Sequence, residues 1–434
     1  MTFDLQSLPA GWGRTRVDRV ATVNARIGWK ALTAAEYQPE GYAFLSTPNI
    51  KGREIDFSDV NYISEFRYEE SPELRLRPGD VLLAKDGNTL GIVNIVRDLP
   101  HPATVNGSIA VIRPTGIEPS YLRYVLASRT TQETINMLKG GMGVPHLFQW
   151  DINRLTVPLP PLDEQYRIAD FLDAETARIE TLASRRDKQM EAIDELELAL
   201  IVDMLSGRVK SGKGKLTGWP WLPEIPAEWS VGPVYAYFSA ELGKMLNADR
   251  ASGPDQRPYL RNANVHWYTI ETDDLATMDF SADEASRYSV RQGDLLICEG
   301  GAGVAEAAVW DGRLEECYFQ KSLHRVRRAG PVPVEWLMYW LRVAKACGVF
   351  EAEGNIATIP HLTGEQLRRY RIPIPTDGDS LVKRTGEEIA KLNSVRTKLR
   401  QAQTLLFERR QALITAAVTG QIDVSTASGR GIEE

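Results

Sequence analysis

The chain is poor in the residues that most metal and covalent chemistry requires: its 434 residues include 3 cysteines and 5 histidines. Cys298, Cys317 and Cys347 are odd in number, widely spaced and confined to the second half. They suit neither a disulfide framework nor a zinc site, so each is expected to be a buried or partly buried free thiol. No two of His101, His146, His266, His324 and His361 lie close enough to suggest one ligand set. His-Glu-x-x-His, paired Cys-x-x-Cys and Gly-x-Ser-x-Gly motifs are all missing. Gly207-Arg208-Val209-Lys210-Ser211-Gly212-Lys213-Gly214 comes within one residue of a phosphate-binding loop. Gly214 stands where a magnesium-holding Ser or Thr belongs, and the segment follows a helix instead of a strand. Gly301-Ala302-Gly303 follows a strand, but Glu306 replaces the last small residue of a dinucleotide loop. These absences disfavour an enzyme without excluding one. It also lacks a run of roughly 18 apolar residues and a basic, apolar leader, so the expectation is a cytoplasmic protein.

Excess positive charge is lacking too. The net charge is -7, which by itself neither supports nor excludes a nucleic-acid partner; the distribution carries more information. Residues 1–162 balance at 17 acidic against 17 basic, and 216–378 carry 22 against 16. Asp163 to Leu205 holds 12 acidic and 5 basic residues, whereas Asp379 to Thr419 holds 4 and 8. One segment is strongly acidic and its later counterpart basic.

What is present is a duplication. Val144-Pro145-His146-Leu147 recurs 215 residues later as Ile359-Pro360-His361-Leu362, and Val157-Pro158-Leu159-Pro160 as Ile372-Pro373-Ile374-Pro375. Leu8-Pro9-Ala10-Gly11-Trp12 returns as Ile225-Pro226-Ala227-Glu228-Trp229, Phe44–Ile50 as Tyr259–Val265, and Pro78–Leu83 as Gln292–Ile297. A Gly-Asp turn precedes a short apolar strand in the last pair, and a glycine-containing loop follows each strand. His146 and His361, beside prolines at a helix start, read as structural hydrogen-bonders. Tyr121–Tyr124 and Trp336–Tyr339 mark a helix in each half. Short strands with one or two helices per half give an α+β class with mixed or antiparallel sheet.

Each half ends in a long helix. Pro160-Pro161 bars helix upstream of Asp163, and Gly207 stops the pattern after Leu205; Gly420 stops the second. Leu172, Ile179, Ile193 and Leu200 form one heptad series broken by Arg186, with Ile168, Leu182 and Leu196 in another. Leu392, Leu399, Leu406 and Leu413 keep strict heptad spacing. About 40 residues at about 1.5 Å each extend on the order of 60 Å. Opposite net charges and matching seams predict that the helices pair, antiparallel if a pseudo-twofold axis relates the halves; a seam facing a partner protein is the alternative. The expected boundaries are a domain over 1–160, helix over 161–207 and an exposed linker over 208–220 with Arg208, Lys210, Lys213 and Lys215. A second domain over 221–375, helix over 376–420 and a tail over 421–434 complete the chain.

These features together resemble the DNA specificity subunit of type I restriction-modification systems, over nearly the entire sequence. The most specific element is VPLPPLDEQYRIADFLDAETARIETL, residues 157–182, in which Leu162, Glu164, Gln165, Arg167, Ile168 and Ile179 look like the entry to the family's first spacer helix. LPAGW, RPGDVLLAKDG and PYLRNANV also look like family segments. The second copy departs after Pro375, reading Thr376-Asp377-Gly378-Asp379 without the Glu-Gln pair, which puts the cap of the second helix in doubt. The resemblance implies two target recognition domains, each reading half of a bipartite double-stranded DNA site, held apart by the helices. It implies two adenine methyltransferase subunits as partners, restriction subunits beyond them, and S-adenosylmethionine, ATP and magnesium on those partners only.

Base reading needs polar side chains on base edges and cations on phosphates. Candidates lie where the repeat keeps its frame and changes its chemistry. Ser46, Thr47, Asn49 and Lys51 correspond to Arg261, Asn262, Asn264 and His266. Lys85, Asp86, Asn88 and Thr89 occupy the loop that corresponds to Glu299 and its glycines, and Asn106 and Ser108 match Gln320 and Ser322, with Lys321 beside the latter. Turn-capping is the competing role for each. A coiled-coil scaffold without DNA, or a specificity subunit of another multisubunit DNA modification enzyme, remains the rival reading of the whole.

Overall fold

A computed structural model describes residues 8–26, 32–140, 143–208, 212–246, 251, 253–350 and 361–424. Ile359, Pro360, Lys210, part of the near-phosphate-loop segment and most of the C-terminal tail lie outside the described residues. The chain divides into two compact units, 1–187 with 400–434 and 188–399, so the division falls within both long helices.

In the first unit the entering strand Gly13–Arg16 pairs antiparallel with Thr156–Leu159, register Gly13 to Leu159. Pro158 is tolerated there because a two-stranded ribbon leaves one edge of each strand unbonded. Ala21–Ala25, Ile109–Pro114, Val81–Ala84 and Val93–Ile95 form an antiparallel sheet in that order. Asn61–Ile63, Tyr42–Leu45 and Ala103–Val105 form a second sheet whose last pairing is parallel. Val81–Ala84 is buried on both faces, as its unbroken apolar run requires. Its Val81 and Leu83 meet helix Pro119–Ala127, while Leu82 and Ala84 meet the second sheet's side chains.

The second unit repeats this plan. Ser230–Pro233 pairs with Arg371–Ile374; Phe238–Leu242, Leu323–Arg328, Leu295–Cys298 and Ala307–Val309 make the larger sheet; Ala276–Asp279, Gln256–Leu260 and Tyr318–Phe319 make the smaller. Leu295 and Ile297 point to helix Val334–Ala346, Leu296 and Cys298 away from it. The Gly-Asp turn has the same anchor in both copies. Asp80 receives Arg113 at 2.7 and 2.8 Å, and Asp294 receives Arg327 at 2.6 and 2.8 Å. Gly79 and Gly293 sit at φ +91° and +87°, which a side chain would strain.

Gly301-Ala302-Gly303 leads into strand Ala307–Val309, a hairpin return with no helix to receive a dinucleotide. Within the expected 208–220 linker, Lys215–Trp219 pairs with Leu222–Ile225, and Glu224 accepts the Gly212 and Gly214 amides at 2.8 and 3.0 Å. Cys298 and Cys317 are buried as expected, but Cys347 is exposed because it caps the end of helix Val334–Ala346.

The long helices run Leu162–Leu205 and Gly378–Val418. In the first unit Glu180 meets Arg410 at 3.7 Å and Asp187 meets Gln403, so the segments run antiparallel. In the second, Arg396 meets Asp194 and Glu197 at 2.6 and 2.7 Å, and Ile201 shares a core with Ile389. A rank of less exposed positions along the first helix steps by four and three: Leu172, Thr176, Ile179, Ala183, Arg186, Met190, Ile193, Glu197, Leu200, Met204. Those of the second are Ile389, Leu392, Arg396, Leu399, Gln403, Leu406, Arg410, Leu413 and Ala417. The expected heptad series of Leu172 and of Leu392 are therefore in the seam. Leu182 and Leu196 are not; each is more than 40% exposed. A two-helix pair buries only a narrow stripe, and the rank that alternates with the leucines is largely polar. Ile168 and Leu172 pack within their own domain's core, beside Ile414 and Ala417.

Candidate nucleic-acid interface

Strands Tyr42–Leu45, Val81–Ala84 and Ala103–Val105 deliver their following loops to one rim. Asn106 N donates to Leu45 O at 2.9 Å, Lys85 N to Ser108 O at 2.8 Å, Gly87 N to Pro145 O at 2.9 Å and Leu147 N to Lys85 O at 2.8 Å. Four sequence segments are thus laced by backbone bonds. The second unit laces the corresponding four: Gln320 N to Leu260 O at 2.9 Å, Glu299 N to Ser322 O at 2.9 Å and Leu362 N to Glu299 O at 2.6 Å. Asn262 adds its amide to Gly300 O at 2.8 Å. All candidate loops of a domain come together, though up to 62 residues separate adjacent ones in sequence.

Not every candidate keeps a free polar group. Asn49 is buried; its Oδ1 accepts the Ser46 amide and hydroxyl at 2.8 Å each, and its Nδ2 donates to Asp56 O and Asp59 O. Asn264 repeats this with Arg261 N, Glu271 O and Asp274 O. Both amides are spent stapling a loop, so Asn49 and Asn264 have the turn-capping role that competed with base contact. Lys85 is also buried, with Nζ 3.1 Å from Asp86 Oδ2. Asp86 receives His146 Nδ1 on its other oxygen. Lys85 and Asp86 therefore form an internal pair that holds the glycine loop, and His146 has the structural bond expected of it. His361 lies against Gly300, where a Cβ would come within 2.3 Å of its Nδ1, so a side chain there would have to displace the ring.

The remaining candidates face outward or partly so. Lys51, Asn88, His266 and Lys321 are exposed; Ser46, Thr47, Thr89, Asn106, Ser108, Arg261, Asn262, Glu299, Gln320 and Ser322 are graded between, except exposed or fully buried at no point. Thr89 and Asn106 bond within their own turns, and Arg261 reaches Asp274 at 3.0 Å. Asn262 Oδ1 is buried without a hydrogen-bond partner.

Sequence reasoning missed an aromatic run beside the first rim. Exposed Phe148 and Trp150 stack at 6.0 Å, His146 sits edge-on to Phe148, and Arg154 lies 5.2 Å over Trp150. The second copy has Thr363 and Glu365 at those positions, so alternating aromatics after the repeated Pro-His-Leu were the available signal. It also missed His324, buried with Nε2 2.7 Å from Leu362 O. Burial holds that ring's pKa below the usual value despite the carbonyl, so it stays neutral and Nε2–H donates. Among the described residues no group of three His, Cys, Asp or Glu could hold a metal ion, and no helix is long and apolar enough to cross a membrane.

The Glu164-Gln165 motif at the helix entry has a structural reason. Trp12 Nε1 donates to Glu164 at 3.0 Å, while Gln165 accepts Glu118 N and donates to Pro160 O at 2.8 Å each. The second copy uses another cap: Arg328 holds Asp379 at 2.9 Å through two nitrogens, and Ser380 N reaches Asp377 at 3.3 Å.

Residues 9–192 match the family model described as type I restriction modification DNA specificity domain. The type I restriction enzyme EcoKI specificity subunit of Escherichia coli (strain K12) is 24% identical over 296 residues, 67% of this chain and 61% of that protein. The StySPI specificity subunit of Salmonella potsdam is 21% identical over 306 residues, 65% of this chain and 64% of that one. The match thus spans less than two thirds of either relative. A solved chain described under complex assembly and conformational transition of the type I R-M system shares the fold, with TM-score 0.67 at 17% identity over 96% of this chain and 100% of its own.

Proposed function

We propose that this chain is a specificity subunit of a type I restriction-modification system, as its similarity to such subunits supports, and the noncatalytic reader of a bipartite DNA site. Each rim reads one half in double-stranded DNA, and the long helices set the number of unread base pairs between the halves. The observation that carries this is the duplicated rim, which keeps its backbone lacing in both units while its outward polar residues change. Two readers built on one frame with different side chains are what two different words demand. The exposure of Lys51 and Lys321 beside their rims supports a phosphate-contacting role for both.

Chemistry is assigned to partners: two adenine methyltransferase subunits carrying S-adenosylmethionine, and restriction subunits using ATP and magnesium. The complex works in the cytoplasm, where the genome lies. Exposed Leu182 and Leu196, outside the helix seam, suit a protein partner. Single-molecule methylation sequencing of the host tests the reading: one split adenine motif is expected, and a continuous motif with active partners present rejects it. Inserting four residues into one long helix, roughly 6 Å, should change the spacer by about one or two base pairs at roughly 3.4 Å each, or abolish activity.

A further inference from the structure

Glu197 occupies a seam position of the first long helix and is 1% exposed. A carboxylate there would be costly without partners. It has three, from three elements of the second unit: Arg396 of the other helix at 2.7 Å, Arg342 of helix Val334–Ala346 at 2.9 Å, and the Tyr268 hydroxyl at 2.8 Å. Arg396 also reaches Asp194 at 2.6 Å. Tyr268 delivers its hydroxyl from φ +66°, a left-handed backbone that a tyrosine adopts only when its surroundings impose it. Arg342 also lies 5.4 Å over the Trp267 ring.

The first unit does not build this. Counting back from the two helix-ending glycines, the counterpart of Glu197 is Arg410, and Trp267 and Tyr268 correspond to Gly52 and Arg53. The place filled in the second unit is an open groove of about 390 Å³ in the first, lined by Lys51, Gly52, Arg123, Phe407 and Arg410. The network is therefore a property of one unit and not of the repeat.

Leucine seams alone tolerate slippage by a heptad; a buried polar group does not. Moving the second helix by seven residues would set Glu197 against Ile389 or Gln403 in place of Arg396. The bonds from Tyr268 and Arg342 would be lost if the domain swivelled. We propose that Glu197 is a positioning residue that holds the paired helices in one register and the second domain at one attitude to them, and thereby sets how strictly spacer length is enforced. This rests on the reading of the chain as a two-headed DNA reader.

The test uses the complete complex in its host, with adenine methylation mapped across the genome, and thermal melting of the full chain. In E197L/R342M/R396L the charges are replaced together by apolar side chains, which commonly preserves folding. The expected result is a chain that melts no lower than wild type while methylation at sites with altered spacers rises about tenfold relative to the normal spacer. E197Q, which keeps the volume and still accepts a bond from Tyr268, is read in parallel and is expected to give a smaller rise of the same kind; it decides the matter should the triple variant fail to fold. Folded variants that keep the single wild-type spacer overturn the proposal. A wild-type complex that methylates no split motif instead overturns the underlying reading.

Discussion

In the first unit the carboxylate that ties domain to helix is Asp173, about a third exposed, met by Arg97 at 2.8 and 3.0 Å and by Tyr124 at 2.5 Å. In the second it is Glu197, enclosed and bonded on three sides. The strand pairings of the two main sheets recur and the core helices lie on the same sheet face, yet the junctions differ in burial and in partners, although the helix Leu162–Leu205 supplies the acid to both. Duplication preserves what backbone pairing and apolar alternation enforce. Where a domain meets a helix, side chains alone decide, and the copies have diverged.

The largest effects should come from what the units share. Asp80→Ala or Asp294→Ala leaves a guanidinium without its bidentate partner. Each should destabilise its own domain by about 3 kcal/mol, read as a shift of one transition in chemical denaturation. Equal loss in both domains from either variant would show that the units unfold as one. Next is Gly300→Ala, whose new Cβ would strike the His361 ring, against Gly87→Ala, which has open space but φ +67°. The former should cost about 2 kcal/mol and the latter about 1, by the same measurement.

Acid sharpens the comparison further. His324 is buried and neutral in the second unit, with Glu299, His361 and Arg368 as its charged neighbours. Its folded pKa is lowered, so the unfolded chain binds the proton more readily. Stability is fully present above about pH 6.5 and falls as pH drops below that value toward the folded pKa. A second-domain transition that weakens from pH 7 to pH 5, and a weaker slope in His324→Gln, are expected. Glu197 acts lower. Burial alone would raise its pKa, but Arg342, Arg396 and Tyr268 outweigh that and hold it below the usual value. Its contribution is present above about pH 4.5 and lost as pH falls through the folded pKa. The smallest effect concerns thiols. Burial pushes Cys298 and Cys317 up to about 12, whereas Cys347 is exposed. One thiol should react in the native chain and all three after unfolding.

The two domains and helices were legible because their signals are local. Proline and glycine punctuate, leucines repeat at seven, and Gly-Asp marks the turn before each buried strand. The rim was legible only in part. Repeat frame with changed chemistry picked out loops that the fold brings to one rim, but Asn49 and Asn264 within them form a shared staple. Lys85 looked like a phosphate ligand until its Nζ was found on Asp86. The polar rank of the seam, with Glu197 and Arg396, escaped because a search for apolar heptads passes over charged positions.

By itself the sequence determined that the chain is a duplicated unit with two long, oppositely charged helices, since helix starts, stops and heptads depend on near neighbours. Only the tertiary structure decided which polar residues face outward and which are spent inside. Partners such as Glu197 and Arg396 lie 199 residues apart, and no local pattern announces a bond that exists only after the chain has folded.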